Sequence, residues 1–383
     1  MSNGSTKSRE AGRALLQRLV DAARRHDVAS LARLYGEDAV ATSPVLGDMR
    51  GRDAIARSWE RLFQTFPDMA VEVTNVLVDG DRVAALASVT ATDETGWFGL
   101  PPTGGPIAYR LVLLLTIRAG KIVHDERIYD SAGVVERLEK ARLDKEMRTA
   151  AEVQRALLST TASVVRFSES VGDSLPCRAI GGDFFEFIDL PTGDVGLALG
   201  DVSGKGPPAA LLAAMLQGML VAEAHAPGGP SVTLSRINRS LVARGLGSRF
   251  ATLVYGVLSA DGRLVYANAG HPPPVLLGRE GVRRLVTGGP PVGLFADASL
   301  EEATLRLQDQ DTLVMFTDGA TESRDARDQE FGESRLMGCL QAHASSPPPV
   351  LLKRILDAVR EFCEHRDPTD DITVTVTRFL AAG

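Results

Sequence analysis

The hydrophobic rhythm of the chain changes near residue 132. Before it, apolar residues recur at three-to-four spacing over Ala11–His26, Val28–Tyr35 and Asp53–Phe66, predicting three amphipathic helices, the last stopped by Pro67. The period then becomes two. Met69–Val78, Arg82–Thr92, Ile107–Ile117 and Ile122–Tyr129 read as strands, with Asp79-Gly80 and Ala119-Gly120 turning two pairs into hairpins. Helices followed by a curled antiparallel sheet predict an α+β cone over residues 10–131, its hollow either packed or open as a pocket.

The stretch 132–158 has no Pro and no Gly after Gly133, and is rich in Ala, Leu, Glu, Lys and Arg, which predicts one long linker helix. Leu143, Met147, Ala150, Gln154 and Leu157 keep helical spacing for two heptads. Such a helix is either a solvated spacer or a paired helix passing register from one domain to the next. Over 159–380, runs such as Val195–Leu199, Leu313–Phe316 and Ile372–Val376 predict sheet. Pro207 and Pro208 start a nearly all-apolar helix, Ala209–Leu220, that must be buried.

Four aspartates stand where those apolar runs break: Asp183 in GGD, Asp201 in GDVSGKG, Asp318 in TDG and Asp370 in DDIT. A plain turn explains any one of them, as it does Asp261-Gly262 between two apolar runs. Taken together they suggest more, because strand ends gather distant residues on one rim, and carboxylates crowded there repel unless cations neutralise them. Oxygen-only donors favour Mg²⁺ or Mn²⁺ over zinc. Gly200–Gly206 fails as a nucleotide loop, since Gly204-Lys205 is followed by Gly206 and not by Ser or Thr. Lys205 is a candidate for meeting a substrate phosphate, and His271, ahead of three prolines, is either a general acid or the anchor of a rigid turn.

Composition narrows the partners. At 383 residues the chain is long enough for two domains, and a net charge of −7 without a basic stripe argues against nucleic acid. Three cysteines without CxxC spacing signal neither a disulfide framework nor a zinc knuckle, which fits a reducing cytoplasm. The N-terminus lacks a signal-peptide core, and no run is expected to reach the ~18 apolar residues of a membrane helix.

The segments "MRGRDAIARSWERLFQTFPDM", "GLPPTGGPI" and "AGKIVHDERIYD" give the first 130 or so residues a resemblance to the SnoaL-like branch of the nuclear transport factor 2-like fold. That fold hosts isomerases, cyclases, dimerisation modules and ligand sensors. Trp59, Trp97, Tyr109 and His124 either line a pocket for a small apolar ligand or fill the cone. His124 and Asp125 are strand neighbours, so they point to opposite faces and make a poor catalytic dyad.

The segments "AEVQRALL", "AIGGDFFEFIDL", "GDVSGKGPPAALLAAM", "FATLVYGVLSADGRLVYANAGHPPPVLL", "LVMFTDGATE" and "DDITVTV" resemble, in order, the SpoIIE-type metal-dependent serine/threonine phosphatases. The resemblance implies an α/β/β/α sandwich. It also implies that Asp183 and Asp201, with the main-chain carbonyl of Val202, hold two bridged Mn²⁺ or Mg²⁺ ions, and that Asp318 and Asp370 complete the second. Asp370 is chosen over Asp371 because the family pattern requires a carboxylate only at the first position. Glu186, Phe184 and Phe185 depart from the usual Asp and tyrosines and touch no expected ligand. The implied protein is a dimeric cytoplasmic phosphatase acting on a phosphorylated anti-sigma-factor antagonist under a sensor domain. The alternative places a cyclase- or isomerase-like enzyme in the N-terminal cone and regulation in the C-terminal half.

Overall fold

The structure, a computed structural model, describes residues 3–97, 99–157, 162–245, 247–279, 281–366 and 368–381. The chain divides into two compact units, Met1–Glu146 and Met147–Gly383.

In the first unit, α1 (Asn3–Arg24) and α2 (Val28–Leu34) precede β1 (Tyr35–Ser43), β2 (Gly47–Arg50) and α3 (Arg52–Thr65). Four longer strands follow: β3 (Ala70–Asp79), β4 (Arg82–Thr92), β5 (Pro106–Arg118) and β6 (Lys121–Ile128). The sheet runs β2-β1-β6-β5-β4-β3, with β1 parallel to β6 and every other neighbour antiparallel. Ala119 (φ 48°) and Gly120 (φ 71°) are both left-handed, the pairing a tight hairpin between β5 and β6 demands. Strands β1 and β2 escape the sequence pattern. Gly36, Glu37 and Asp38 interrupt alternation in β1, and tertiary pairing of Val40 to Thr42 with His124 to Glu126 recruits it. Inward residues of β4, among them Val83, Ala85, Ala87 and Val89, meet Leu15 and Leu19 of α1 and Ile55, Trp59 and Phe63 of α3 in one core.

The helix α4 (Ser131–Leu157) carries the chain into the second unit. Leu158, where the sequence pattern ends the linker, lies outside the described residues. Next come β7 (Ala162–Val165), β8 (Ser168–Leu175), β9 (Phe184–Asp189), β10 (Val195–Val202), α5 (Pro207–Ala224) and α6 (Pro230–Ala243). Then β11 (Ala251–Leu258), β12 (Arg263–Ala269), β13 (Val275–Gly278), β14 (Gly281–Arg284), β15 (Gly288–Gly289), β16 (Ala303–Arg306) and β17 (Thr312–Phe316) follow. The unit ends with α7 (Gly319–Glu322), α8 (Gly332–Ala342), α9 (Pro348–Phe362) and β18 (Ile372–Phe379).

One sheet runs β15-β12-β11-β10-β9 with β16 also on β12, and the other β14-β13-β17-β18-β8-β7. Three apolar layers result. Leu212, Leu216 and Leu220 of α5 and Leu234 and Ile237 of α6 pack on the first sheet. Leu197, Leu199, Val254, Leu313 and Met315 fill the space between sheets, and Leu351, Ile355 and Val359 of α9 cover the second. Burial from both sides explains why β10 is a continuous apolar run with no alternation. The expectation that no run approaches membrane-helix length is corrected by α5: its 18 residues are long and apolar enough by composition. Its face of Ala209, Leu212, Ala213, Leu216 and Leu220 is spent on the core instead, as the all-apolar pattern requires.

Candidate functional site

The four aspartates gather because neighbouring antiparallel strands begin and end at the same rim. Asp183 immediately precedes β9, and Asp201 lies near the end of β10, one step beyond the Gly200–Phe184 pair. In the other sheet Asp318 follows β17 and Asp370 precedes β18, strands joined through Phe316 and Val374. The two rims are tied together by hydroxyls. Thr317 Oγ1 (2.8 Å) and Thr373 Oγ1 (2.7 Å) both donate to Asp183 Oδ2. Both threonines are fully buried, so this carboxylate is fixed while its other oxygen accepts no hydrogen bond from them.

Electrostatics here are unfavourable to the bare acids. Burial, and then the neighbouring Asp201, hold the Asp183 carboxyl well above the usual carboxylate range. Burial followed by Asp318 pushes Asp201 up to about 6, and burial followed by Asp370 raises Asp318. Mutually repelling oxygens, all hard donors, fit a hard divalent cation, which would remove the penalty they impose on one another. The backbone fits as well. A Cβ on Gly182 would stand 3.0 Å from the Val202 carbonyl, so only glycine lets the GGD loop approach that main-chain donor.

Supporting residues outnumber those visible in the motifs. Asp371 takes Cys177 N–H on Oδ1 (2.8 Å) and Gly182 N–H on Oδ2 (2.6 Å), so it braces the loop and leaves Asp370 as the outward acid of the pair. Cys177 Sγ lies within 4.8 Å of oxygens of both Asp370 and Asp371. Burial pushes its thiol up to about 11, and Asp371 is already occupied, so this trio is a poor cation site. Gln154 of α4 grips the peptide of Gly181, Nε2 donating to its carbonyl (2.7 Å) and Oε1 accepting from its N–H (3.1 Å). Ala151 of α4 and Ala210 of α5 pack with Ile180 beside it. Sequence reasoning missed Thr317, Thr373 and Gln154 as parts of the site, and weighed Asp371 only as an alternative ligand to Asp370. Thr317 adjoining Asp318 in TDG, and Thr373 closing DDIT, were the available signals for two of them.

Lys205 donates to Thr369 O (2.6 Å) and pairs with Asp370 Oδ2 at 2.8 Å, with both side chains more than a third exposed. Of the two readings of His271, a group that meets substrate as general acid and the anchor of a rigid turn, its surroundings support the second. It is 4% exposed, its Nδ1 lies 2.8 Å from Thr252 Oγ1, and Asn268 clasps its backbone at both N–H and C=O. Burial lowers its pKa to about 3, so the ring is neutral and inaccessible: it anchors the turn.

The first unit contains a cavity of about 190 Å³ walled by Trp59, Trp97, Tyr109, Tyr129 and apolar side chains. His124 corrects the predicted lining. Val123 is an extra residue in β6 between the Thr116–His124 and Ile117–Ile122 pairs, and this bulge sends Ile122, Asp125 and Arg127 inward and leaves His124 exposed. Arg127, which does line the cavity, donates from Nε (3.2 Å) and Nη2 (2.9 Å) to Asp125 Oδ2, and Tyr35 OH donates to the same oxygen (2.8 Å).

A sandwich of two sheets, antiparallel but for the short β15, with hard-donor acids on its rim, preceded by a hollow α+β cone, defines the class of protein. Residues 191–380 match the family model of Stage II sporulation protein E (SpoIIE), and residues 16–125 that of the SnoaL-like domain. The chain therefore joins a SnoaL-like domain to a domain of the SpoIIE family. Asp183 precedes the matched span, so its place in the site rests on geometry.

Among curated proteins, the chain is 29% identical over 232 residues to Protein IcfG of Synechocystis sp., covering 52% of this chain and 36% of that one. It is 27% identical to Phosphoserine phosphatase RsbU of Bacillus subtilis, covering 62% and 70%. Just over a third of IcfG's length is thus spanned. The SiaA-PP2C domain of Pseudomonas aeruginosa superimposes with a TM-score of 0.55 at 19% identity, over 63% of this chain and 98% of that one, which establishes the fold.

Proposed function

We propose that the second unit is a Mn²⁺- or Mg²⁺-dependent phosphoserine/phosphothreonine protein phosphatase with two ions, acting on an anti-sigma-factor antagonist. The observation that carries it is the convergence of Asp183, Asp201, Asp318 and Asp370 from both sheets, with burial and mutual repulsion raising three of them. Similarity to a protein named a phosphoserine phosphatase supports the substrate class. When bound, two hard divalent ions supply screening of phosphoryl charge and a water acidic enough to be hydroxide near neutral pH.

The residues around them have distinct tasks. Asp183 and Asp201, with the Val202 carbonyl, would hold the bridged pair, and Asp318 and Asp370 would complete the second ion. Thr317 and Thr373 fix Asp183 in place, and Asp371 and Gln154 hold the loop that presents it. Lys205, more than a third exposed beside Asp370, would meet the substrate phosphate. Manganese-dependent hydrolysis of p-nitrophenyl phosphate, lowered on the order of 10³-fold by Asp201→Asn, is the expected result. Activity insensitive to chelator sinks the assignment.

The domains read as 10–131, a ligand-sensing or dimerising cone, 132–158, a transmitting helix, and 159–380, the catalytic domain of a cytoplasmic homodimer. Exposed Leu143, Val153 and Leu157 along α4 support pairing of that helix with a second copy. Removing residues 1–131 should change the phosphatase rate several-fold, read against sedimentation of both forms. Equal rates with a monomeric full chain would discard transmission. The side chain of Asp125, bonded to Arg127 of the cavity wall, is fully covered, which speaks against the cyclase alternative.

A further inference from the structure

We infer that Leu294 and Phe295 form a docking step for a folded, acidic phosphoprotein substrate, flanked by arginines at the end of α6. The inference rests on the phosphatase reading above and adds how the second unit tells a protein substrate from a small phosphate ester.

Position comes first. The chain from Gly288 to Phe295 crosses the end of the first sheet at the rim that carries Asp201. Gly288 and Gly289 pair with Asn268 and Ala269 at the end of β12, and Val292 bridges to Ala251 at the start of β11. On its other side Ala251 pairs with Val202, next to Asp201. Two strand spacings, ~10 Å, thus separate Val292 from Val202. A partner of ordinary interface size covers ~800 Å², a patch about 32 Å across. A folded protein that delivers a phosphoserine to the rim therefore spans the step, whereas an aryl phosphate does not reach it.

Presentation comes second. Leu294 is 44% and Phe295 56% exposed, while Val292 beside them is fully buried. Asn238 of α6, itself buried, donates from Nδ2 to the Phe295 carbonyl (2.9 Å) and accepts Gly293 N–H on Oδ1 (2.7 Å). Gly293 is left-handed (φ 87°), and a Cβ there would stand 3.3 Å from the Arg249 carbonyl, so glycine makes this turn. Single apolar residues on a surface need no explanation. An adjacent pair, one of them aromatic, held rigid before any partner arrives, has the form of an interface anchor.

Charge comes third. Residues 230–250 hold Arg236, Arg239, Arg244 and Arg249 and no Asp or Glu, in a chain whose net charge is −7. Arg236 pairs with Glu223, whereas the exposed Arg239, Arg244 and Arg249 form no ion pair among the described residues. Arg239 follows Asn238, and the Arg249 backbone packs on Gly293, so both border the step. Against these three cations the loop sets one exposed acid, Asp297. The complement is an apolar spot within an acidic surface, which the phosphoserine's own charge continues.

The test compares three substrates on the full chain with Mn²⁺: a serine-phosphorylated anti-sigma-factor antagonist, a short peptide spanning its phosphoserine, and p-nitrophenyl phosphate. Phe295→Ala should lower kcat/KM for the phosphoprotein, relative to that for p-nitrophenyl phosphate, at least about tenfold, and chiefly through KM. The same ratio for the peptide should stay level. Phe295→Tyr, which keeps the ring, should behave as the parent. Arg239→Glu combined with Arg249→Glu should lower the phosphoprotein ratio too, and by less as salt rises. An unchanged phosphoprotein ratio in Phe295→Ala, or an equal fall for the peptide, overturns the docking step. So does a fall that accompanies loss of a dimer in sedimentation, which assigns the step to a second copy of the chain. A parent active on p-nitrophenyl phosphate but not on the phosphoprotein overturns the substrate reading itself, so the two failures are told apart.

Discussion

The two units handle buried charge in opposite ways. In the cone, Arg127, Asp125 and Tyr35 settle their charges among themselves, with one oxygen receiving three donors. On the sandwich rim, burial first, and then Asp201 for Asp183, Asp318 for Asp201 and Asp370 for Asp318, raise the three carboxyls, and the Lys205 ammonium pairs with Asp370 at the partly exposed edge. A balanced cluster needs no ion from outside. An unbalanced one is completed only by a cation. The same principle, that buried charge must be compensated, separates a pocket for an organic ligand from a metal centre.

The sharpest way to break this contrast is to unbalance the balanced cluster. Arg127→Gln leaves Asp125 buried without its cation and should destabilise the first unit by about 3–5 kcal/mol. Both tryptophans of the chain, Trp59 and Trp97, lie in that unit, so denaturant unfolding followed by their fluorescence reports on it. Removing both charges with Arg127→Met and Asp125→Leu should recover most of the loss. A single variant as stable as the parent would show that the pair is not the compensated unit described.

The complementary experiment concerns pH. Asp201 has its pKa raised from 3.8 to about 6 by burial and by Asp318. Its folded value lies above its unfolded value, so the protonated form favours the fold. Stability from this group is complete below about 4 and is lost as pH rises through about 6. The metal-free chain should therefore melt at progressively lower temperature between those limits relative to Asp201→Asn, and Mg²⁺ should reverse the trend by binding the ionised form. Melting differences that stay flat across the window, or that rise with pH without metal, refute the unbalanced-cluster account.

How legible each region was follows from the same physics. Strand-end acids announce themselves, because apolar runs such as Val195–Leu199 and Leu313–Phe316 stop near them and predict sheet, whereas the sandwich came only from the family resemblance. What surrounds the acids was hidden. Thr317 and Thr373 reach Asp183 across the two sheets, from positions 134 and 190 residues away, and no local pattern encodes that contact. In the cone the inward face of β6 was misread at His124 because a one-residue bulge at Val123 shifts the alternation, and Arg127 was overlooked as a surface-type residue. His271 was open in the sequence between general acid and turn anchor, and its burial supports the anchor.

Gln154 tests whether the loop's support belongs to the metal centre. Gln154→Ala removes both partners of the Gly181 peptide, and the loss of one to two net hydrogen bonds predicts about a tenfold fall in activity together with weaker Mn²⁺ binding. Weaker metal binding is the informative part, since a change in rate alone would not place Gln154 upstream of Asp183.

The smallest expected effect concerns Lys205, where the two modes of compensation meet. Its ammonium sits on Asp370 Oδ2, so in the metal-free protein it already offsets part of the rim's charge. A cation arriving at Asp370 has to displace it. The pair is partly exposed and screened by solvent, hence worth under about 1 kcal/mol, so Lys205→Met should tighten Mg²⁺ binding by no more than about fivefold. The same substitution removes a positive group beside the incoming phosphate and should raise KM for a phosphoprotein while leaving kcat nearly unchanged. Tighter metal with a higher KM identifies Lys205 as a stand-in cation that turns to substrate once the ion is in place. Weaker metal binding would mean instead that Lys205 holds Asp370 in its ligating position.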